Sequence, residues 1–236
     1  MEKLTVDIWS DVACPWCYIG KRRLESALSS FAHADAVDVV WHAFELDPSA
    51  PPASPEPTRY PERLAKKYGV PLADAEAMIK RVVDTAAAEG LYFRFDRIRS
   101  GNTFDAHRLI RFARERGLQG AVKERVLRAY FCEGEAVSDR SVLARLADEV
   151  GMDAAEALQV LETNAHANDV RDDEGAAADL GITGVPFFVV GDRYAISGAQ
   201  PAEGLLRALE RAYAERSSAA APSTGGAPAC EPAGCN

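Results

Sequence analysis

Two pairs of thiols set the chemical question. Cys14 and Cys17 stand with two residues between them in DVACPWCYIGKRR, from Asp11 to Arg23, and Cys230 and Cys235 form a wider C-x4-C pair in SSAAAPSTGGAPACEPAGCN. Paired thiolates can hold zinc in a tetrahedron, and paired thiols can cycle between dithiol and disulfide. Two cysteines can also be buried neighbours with no joint role. The first pair follows an apolar run and opens a helical pattern, so Cys14 falls where unpaired backbone amides and the helix dipole favour a thiolate. Pro15 suits the first helical position because its missing N–H has no partner to lose there. Cys17 lies about one turn on, facing the protein. Zinc ribbons instead tend to place each pair in tight glycine-containing turns. A redox couple is therefore preferred, with Cys14 as nucleophile and Cys17 as resolving thiol, and a zinc-binding or redox-sensing interaction protein is the alternative. Trp16 between the thiols cannot supply the imidazolium that a histidine would, so a strongly oxidising potential is not expected.

Composition limits the partners. With 27 Lys and Arg against 36 Asp and Glu in 236 residues, the formal charge of −9 repels phosphate backbones and anionic membrane surfaces. Neither nucleic acid nor a membrane is an expected partner. The opening MEKLTVDIWSD lacks a basic segment followed by an apolar one, and five cysteines are too few and too uneven for a secreted disulfide scaffold. A cytoplasmic location is expected, with no disulfide framework.

The elements that must position the pair read in order. Leu4 to Trp9 has a strand pattern, Pro15 to Leu28 a helical one and Val37 to Leu46 a second strand, as a parallel βαβ unit requires. Six prolines between Asp47 and Pro61 then stop both kinds of element. From Glu62 to about Leu180 the chain reads as successive helices closed by glycines or turn residues, including one continuous AVKERVLRAYFCEG segment. GVPFFVVGDRYAIS gives two short strands around Gly191 and Asp192, and PAEGLLRALERAYAERS a last amphipathic helix. The Ala, Pro, Ser and Gly-rich end has little apolar surface to bury and reads as a flexible tail.

CPWCYIGK after the first strand, FELDP after the second, NTFDAHRLIRFA among the helices, GVPFFVV and ISGAQP occur in this order between Leu4 and Arg216. In these the chain resembles the DsbA-like thioredoxin superfamily, and within it the cytosolic FrnE-like oxidoreductases. The resemblance implies an α/β thioredoxin-like fold split by an inserted all-helical domain. Its parts would be residues 1–50 and 181–216 (thioredoxin-like), 51–180 (helical insertion) and 217–236 (tail). It implies thiol-disulfide exchange on protein substrates, running as reduction, oxidation or isomerisation. No organic cofactor is expected, and glutathione is a candidate reductant. The resemblance also implies that Val185 precedes a cis Pro186 at the site, where a trans proline at a strand entrance is the plain alternative, and that Asn102 and His107 face substrate. Helix capping by Asn102 or Thr103, and a core or surface His107, explain those two equally well. Kappa-type glutathione transferases and hydroxychromene-carboxylate isomerases share the fold but carry serine where Cys14 stands.

Other residues are less defined. From Ser217 to Cys230, a flexible chain has a typical reach on the order of 20 Å. Cys230 and Cys235 are thus expected to exchange with the first pair as a relay or a guard, or to be inert. Cys132, next to Tyr130 and Phe131, is expected to be a buried structural thiol. His42 and Glu45 lie on the second strand, where alternation does not assign their faces. Monomer and dimer remain open.

Overall fold

The computed structural model describes residues 3–220, and of residues 217–220 the backbone alone. β1 (Leu4–Ser10) is the central strand. Its Leu4, Val6 and Ile8 side chains are buried on one face, where α1 (Pro15–Ser30) packs. β2 (Val37–Ala43) lies parallel to β1, with Leu4 opposite Val37 and Ser10 opposite Ala43. β3 (Phe187–Val190) is antiparallel to β1 on its other side, and β4 (Tyr194–Ser197) is antiparallel to β3. The order is β2-β1-β3-β4. Gly191 and Asp192 turn the β3–β4 hairpin with φ of 59° and 58°, in the left-handed region open to glycine and tolerated by aspartate.

α9 (Ala202–Ala220) packs against α1 and closes the first face. Val6, Ile8, Phe188, Leu205 and Leu209 are all at most 1 % exposed there, and each such side chain contributes roughly 1.5–3 kcal/mol by leaving water. On the opposite face Trp9, Ala177 and Ile182 form a second apolar cluster with Phe44, Val185 and Phe187. α9 continues past Arg216, where a tail was expected to begin, because Ser217–Ala220 holds no glycine or proline to stop it. Cys230 and Cys235 lie outside the described residues.

Between β2 and β3 stand α2 (Tyr60–Tyr68), α3 (Leu72–Ala88), α4 (Phe104–Arg114), α5 (Gln119–Arg128), α6 (Arg140–Asp148), α7 (Ala154–Glu162) and α8 (Ala167–Asp179). The continuous helix expected over AVKERVLRAYFCEG instead changes at Ala129 into a π-helical turn that ends at Gly134, with φ 77°. Cys132 sits on this turn and is half-buried, not fully buried as expected. Strand two stops at Ala43, short of Leu46, because the Leu46 amide donates to the Asp11 carboxylate and not to a strand.

Arg108 explains much of NTFDAHRLIRFA. Fully buried on α4, it donates to the carbonyls of Val160, Leu161, Thr163 and Ala165, which the end of α7 leaves without helical partners, and pairs with Asp105. α8 is tied to the sheet by His42, whose Nδ1 lies 2.6 Å from Asp173 Oδ1 and whose Nε2 lies 2.7 Å from Asp7 Oδ1. Trp9 stacks on that imidazole and donates to the Asp173 carbonyl.

Candidate active site

β1 delivers the chain to Asp11, and a tight turn delivers it to α1. The Cys14 amide donates to the Asp11 carbonyl at 3.3 Å, and the Ala13 amide to Asp11 Oδ1 at 3.2 Å. Cys14 is the N-cap residue with extended backbone (φ −94°, ψ 114°), Pro15 starts the helix, and the Cys17 amide donates back to the Cys14 carbonyl at 3.1 Å. Cys14 Sγ lies 3.4 Å from the Val185 carbonyl oxygen, and the Val185–Pro186 peptide is cis.

The two thiols differ in their surroundings. Cys14 borders a cavity of about 300 Å³, with Pro15, half-exposed Trp16, Gly184 and Val185 around it. Cys17 has no exposed surface. Burial pushes the Cys17 thiol well above the ordinary range, a hydrogen bond and charge from Cys14 add to this, and the Lys123 ammonium and a backbone bond from Asp11 oppose it. Both thiols are free.

Behind the pair lies a buried polar layer that the sequence reading missed. Asp11, 1 % exposed, gathers the turn, the chain after β2 and α4 by accepting from Ala13, Leu46 (2.7 Å) and His107 Nε2 (3.4 Å). Burial raises its pKa, but those bonds and the His107 charge outweigh burial and leave it lowered. Lys123, 1 % exposed on α5, reaches the Ser10 carbonyl at 3.5 Å and lies over the Trp41 ring. Burial brings it down to about 8, against the attraction of Cys17, Asp11 and Cys14. An acid three residues before the first cysteine was a visible signal for Asp11. Lys123 had none, since a lysine in KERVLR reads as solvated surface.

Gly20 is the other missed position. A Cβ there would lie 3.0 Å from Pro186 Cγ and 3.2 Å from Phe188 Cζ, so the glycine lets α1 sit against the proline. A glycine one turn after Cys17 inside a helical pattern was its signal.

Neither His107 nor Asn102, the two residues that the resemblance set towards substrate, lies in the cavity lining. His107 is 2 % exposed and held by Asp11, behind the thiols and away from the cavity lining. Asn102 accepts from the Phe104 amide at 2.9 Å at the start of α4 and donates to Glu45 and to the Pro48 carbonyl. Its neighbours Gly101 and Thr103 line the cavity. Glu45 is buried in a pair with Arg171, and His42 serves α8; neither borders the cavity.

A family model described as the DSBA-like thioredoxin domain matches residues 5–210. The chain is 29% identical over 189 residues to YwbO of Bacillus subtilis, spanning 79% of this chain and 86% of that protein. A crystal structure of a probable DsbA oxidoreductase from Streptomyces coelicolor superposes with a TM-score of 0.83 at 45% identity, covering 90% of this chain and 91% of that one. A 2-hydroxychromene-2-carboxylate isomerase superposes with a TM-score of 0.67 at 18% identity, over 92% and 100% of the two chains, a likeness of fold. Among the described residues, no helix is long and apolar enough to cross a membrane and no group of His, Cys, Asp and Glu side chains has metal-holding geometry.

Proposed function

Because the chain belongs to the DSBA-like thioredoxin domain family of thiol-disulfide oxidoreductases, we propose that it exchanges protein disulfides through Cys14 and Cys17. The observation that carries this is the asymmetry of the pair: one sulfur at a helix start on a cavity edge, the other sealed behind it.

In the reducing direction the Cys14 thiolate attacks one sulfur of a substrate disulfide, forming a mixed disulfide and releasing the other sulfur as a thiolate. Cys17 then gives up its proton and attacks Cys14 Sγ. A Cys14–Cys17 disulfide forms, and the substrate leaves with both sulfurs reduced. Two electrons have passed from protein to substrate, and the reverse sequence oxidises a dithiol. The Val185 carbonyl and Pro186 border the attacked position, and Asp11 fixes the turn that aims Cys14. The chemistry uses the protein's own sulfurs; a small thiol such as glutathione would return the pair to the reduced form.

Exchange with Cys230 and Cys235 belongs to the same proposal. If the Cys230→Ser, Cys235→Ser double variant turned over reductant and substrate at the wild-type rate, that relay would be discarded. The main test is reductant-driven reduction of insulin disulfides: the wild-type protein accelerates it and Cys14→Ser leaves only the uncatalysed rate. Equal catalysis by Cys14→Ser would overturn the proposal.

A further inference from the structure

One face of α2 is unlike a core face. Tyr60, Arg63, Leu64, Lys67 and Tyr68 follow the i, i+3, i+4, i+7, i+8 spacing that puts side chains on one side of a helix, and all five line the cavity beside Cys14. No residue of α2 is buried, and apart from Tyr60, which packs on the Phe95 ring at the edge of the core, this helix turns two cations and its apolar groups towards the cavity. α3 supplies the facing wall with Met78, Ile79 and Val82.

The two cations are poorly matched within the protein. Lys67 has no carboxylate within ion-pair distance among the described residues, and its ammonium lies 5.9 Å from the Tyr68 ring centre. Arg63 has one, Asp47 at 3.8 Å, with both side chains nearly half exposed, a geometry worth little. The chain as a whole carries −9. An acidic partner is therefore repelled at long range, whereas Arg63 and Lys67 put a positive edge on a cavity whose lining also holds Asp47, beside Arg63, and the buried Asp11.

Around this cavity, Trp16 and Leu46 (each 40 % exposed) and Tyr68 (55 %) extend the apolar surface outwards. A concave site at the low end of the usual range of about 300–1,000 Å³ takes one side chain well, and an apolar rim beyond it suits a longer chain. Resting on the disulfide-exchange reading above, we propose that the α2–α3 cavity selects polypeptide disulfides whose attacked cysteine is flanked by an apolar residue and an acidic one. The apolar side chain enters between Leu64, Ile79 and Val82, and the carboxylate meets Arg63 and Lys67. The covalent step is unchanged: Cys14 takes one substrate sulfur into a mixed disulfide, Cys17 displaces it, and two electrons reduce the substrate.

Matched synthetic peptide disulfides test this, identical except for Glu or Gln beside an apolar residue next to the cysteine. The expected wild-type kcat/KM is roughly three- to tenfold higher for the Glu peptide, the size of one or two partly exposed charge pairs. The ratio should fall towards one in high salt. It should also fall to about one in Arg63→Gln, Lys67→Gln, and below one in Lys67→Glu. A wild-type ratio of one, or a ratio unmoved by either variant, overturns the inference even if both peptides are reduced. Failure to reduce either peptide in a Cys14-dependent way would instead count against the exchange reading. Because each result is a ratio within one protein sample, a variant that folds poorly lowers both rates and does not mimic the effect.

Discussion

Cys14 Sγ and the Val185 carbonyl oxygen stand 3.4 Å apart across 171 residues of sequence. The whole helical segment from α2 to α8 lies between these two residues in the chain. The candidate site is therefore a junction: α1 brings the thiol, and the approach to β3 brings the carbonyl, after the chain has gone out through seven helices and come back.

Replacing the sealed thiol separates the two steps. Cys17→Ser should still attack a disulfide through Cys14 but accumulate the mixed disulfide, visible as a mass increase equal to the bound substrate thiol. In the wild type, burial holds Cys17 protonated, so only a small thiolate fraction is ready to resolve the intermediate. That fraction grows about tenfold per pH unit below the thiol's pKa, and the resolution rate measured by rapid quench should rise with pH in the same way. A flat profile from pH 6 to 8 would contradict this assignment.

Lys123 should trade stability for rate. Its charge pulls the Cys17 pKa down, so Lys123→Met should slow resolution at neutral pH and move its pH profile to higher values. An unpaired buried ammonium is costly, and a methionine of similar length removes that cost. The same variant should melt at a temperature equal to or a few degrees above wild type, about 1 kcal/mol for a chain of this size. Calorimetry beside rapid-quench kinetics checks both halves.

His42 should give the fold a pH dependence of its own. Burial pushes its pKa down, but the hydrogen bonds and charges of Asp173 and Asp7 outweigh burial and raise it. Both ring nitrogens face carboxylate oxygens, an arrangement that suits the doubly protonated ring. A raised folded-state pKa means the contribution is complete below the unfolded value of about 6.5 and is lost as pH rises through the folded value. At pH 6, His42→Gln should cost about 1–3 kcal/mol, and the gap to wild type should narrow at alkaline pH. Melting temperatures across pH 6 to 9 would show it; a constant gap would not fit.

Gly20 should tolerate no methyl group. Gly20→Ala places a Cβ 3.0 Å from Pro186, and relief requires α1 or the segment before β3 to move. Overpacking of this kind costs about 1–3 kcal/mol. Because the same movement separates Cys14 from Val185, insulin-disulfide reduction should fall several-fold more than at Gly175, a helical glycine with open space around its Cβ position.

Local structure was legible in the residues alone. Two thiols one turn apart, with proline after the first and a helical pattern after the second, point to a helix start, and alternation in LTVDIW and the β-favouring run FFVV point to strands. The order of elements then allowed few folds. Tertiary structure decided what is buried beneath the pair. His107, from α4, meets Asp11 and Lys123, from α5, reaches the adjoining Ser10 carbonyl behind the thiols only because the helical segment packs over the end of β1. Nothing in their own neighbourhoods announces this, since a lysine or histidine on a helix costs nothing at the surface and is enclosed only by contacts distant in sequence. The same holds for α2, where the pattern foretold a helix and packing left Arg63 and Lys67 at the edge of a cavity instead of in open solvent.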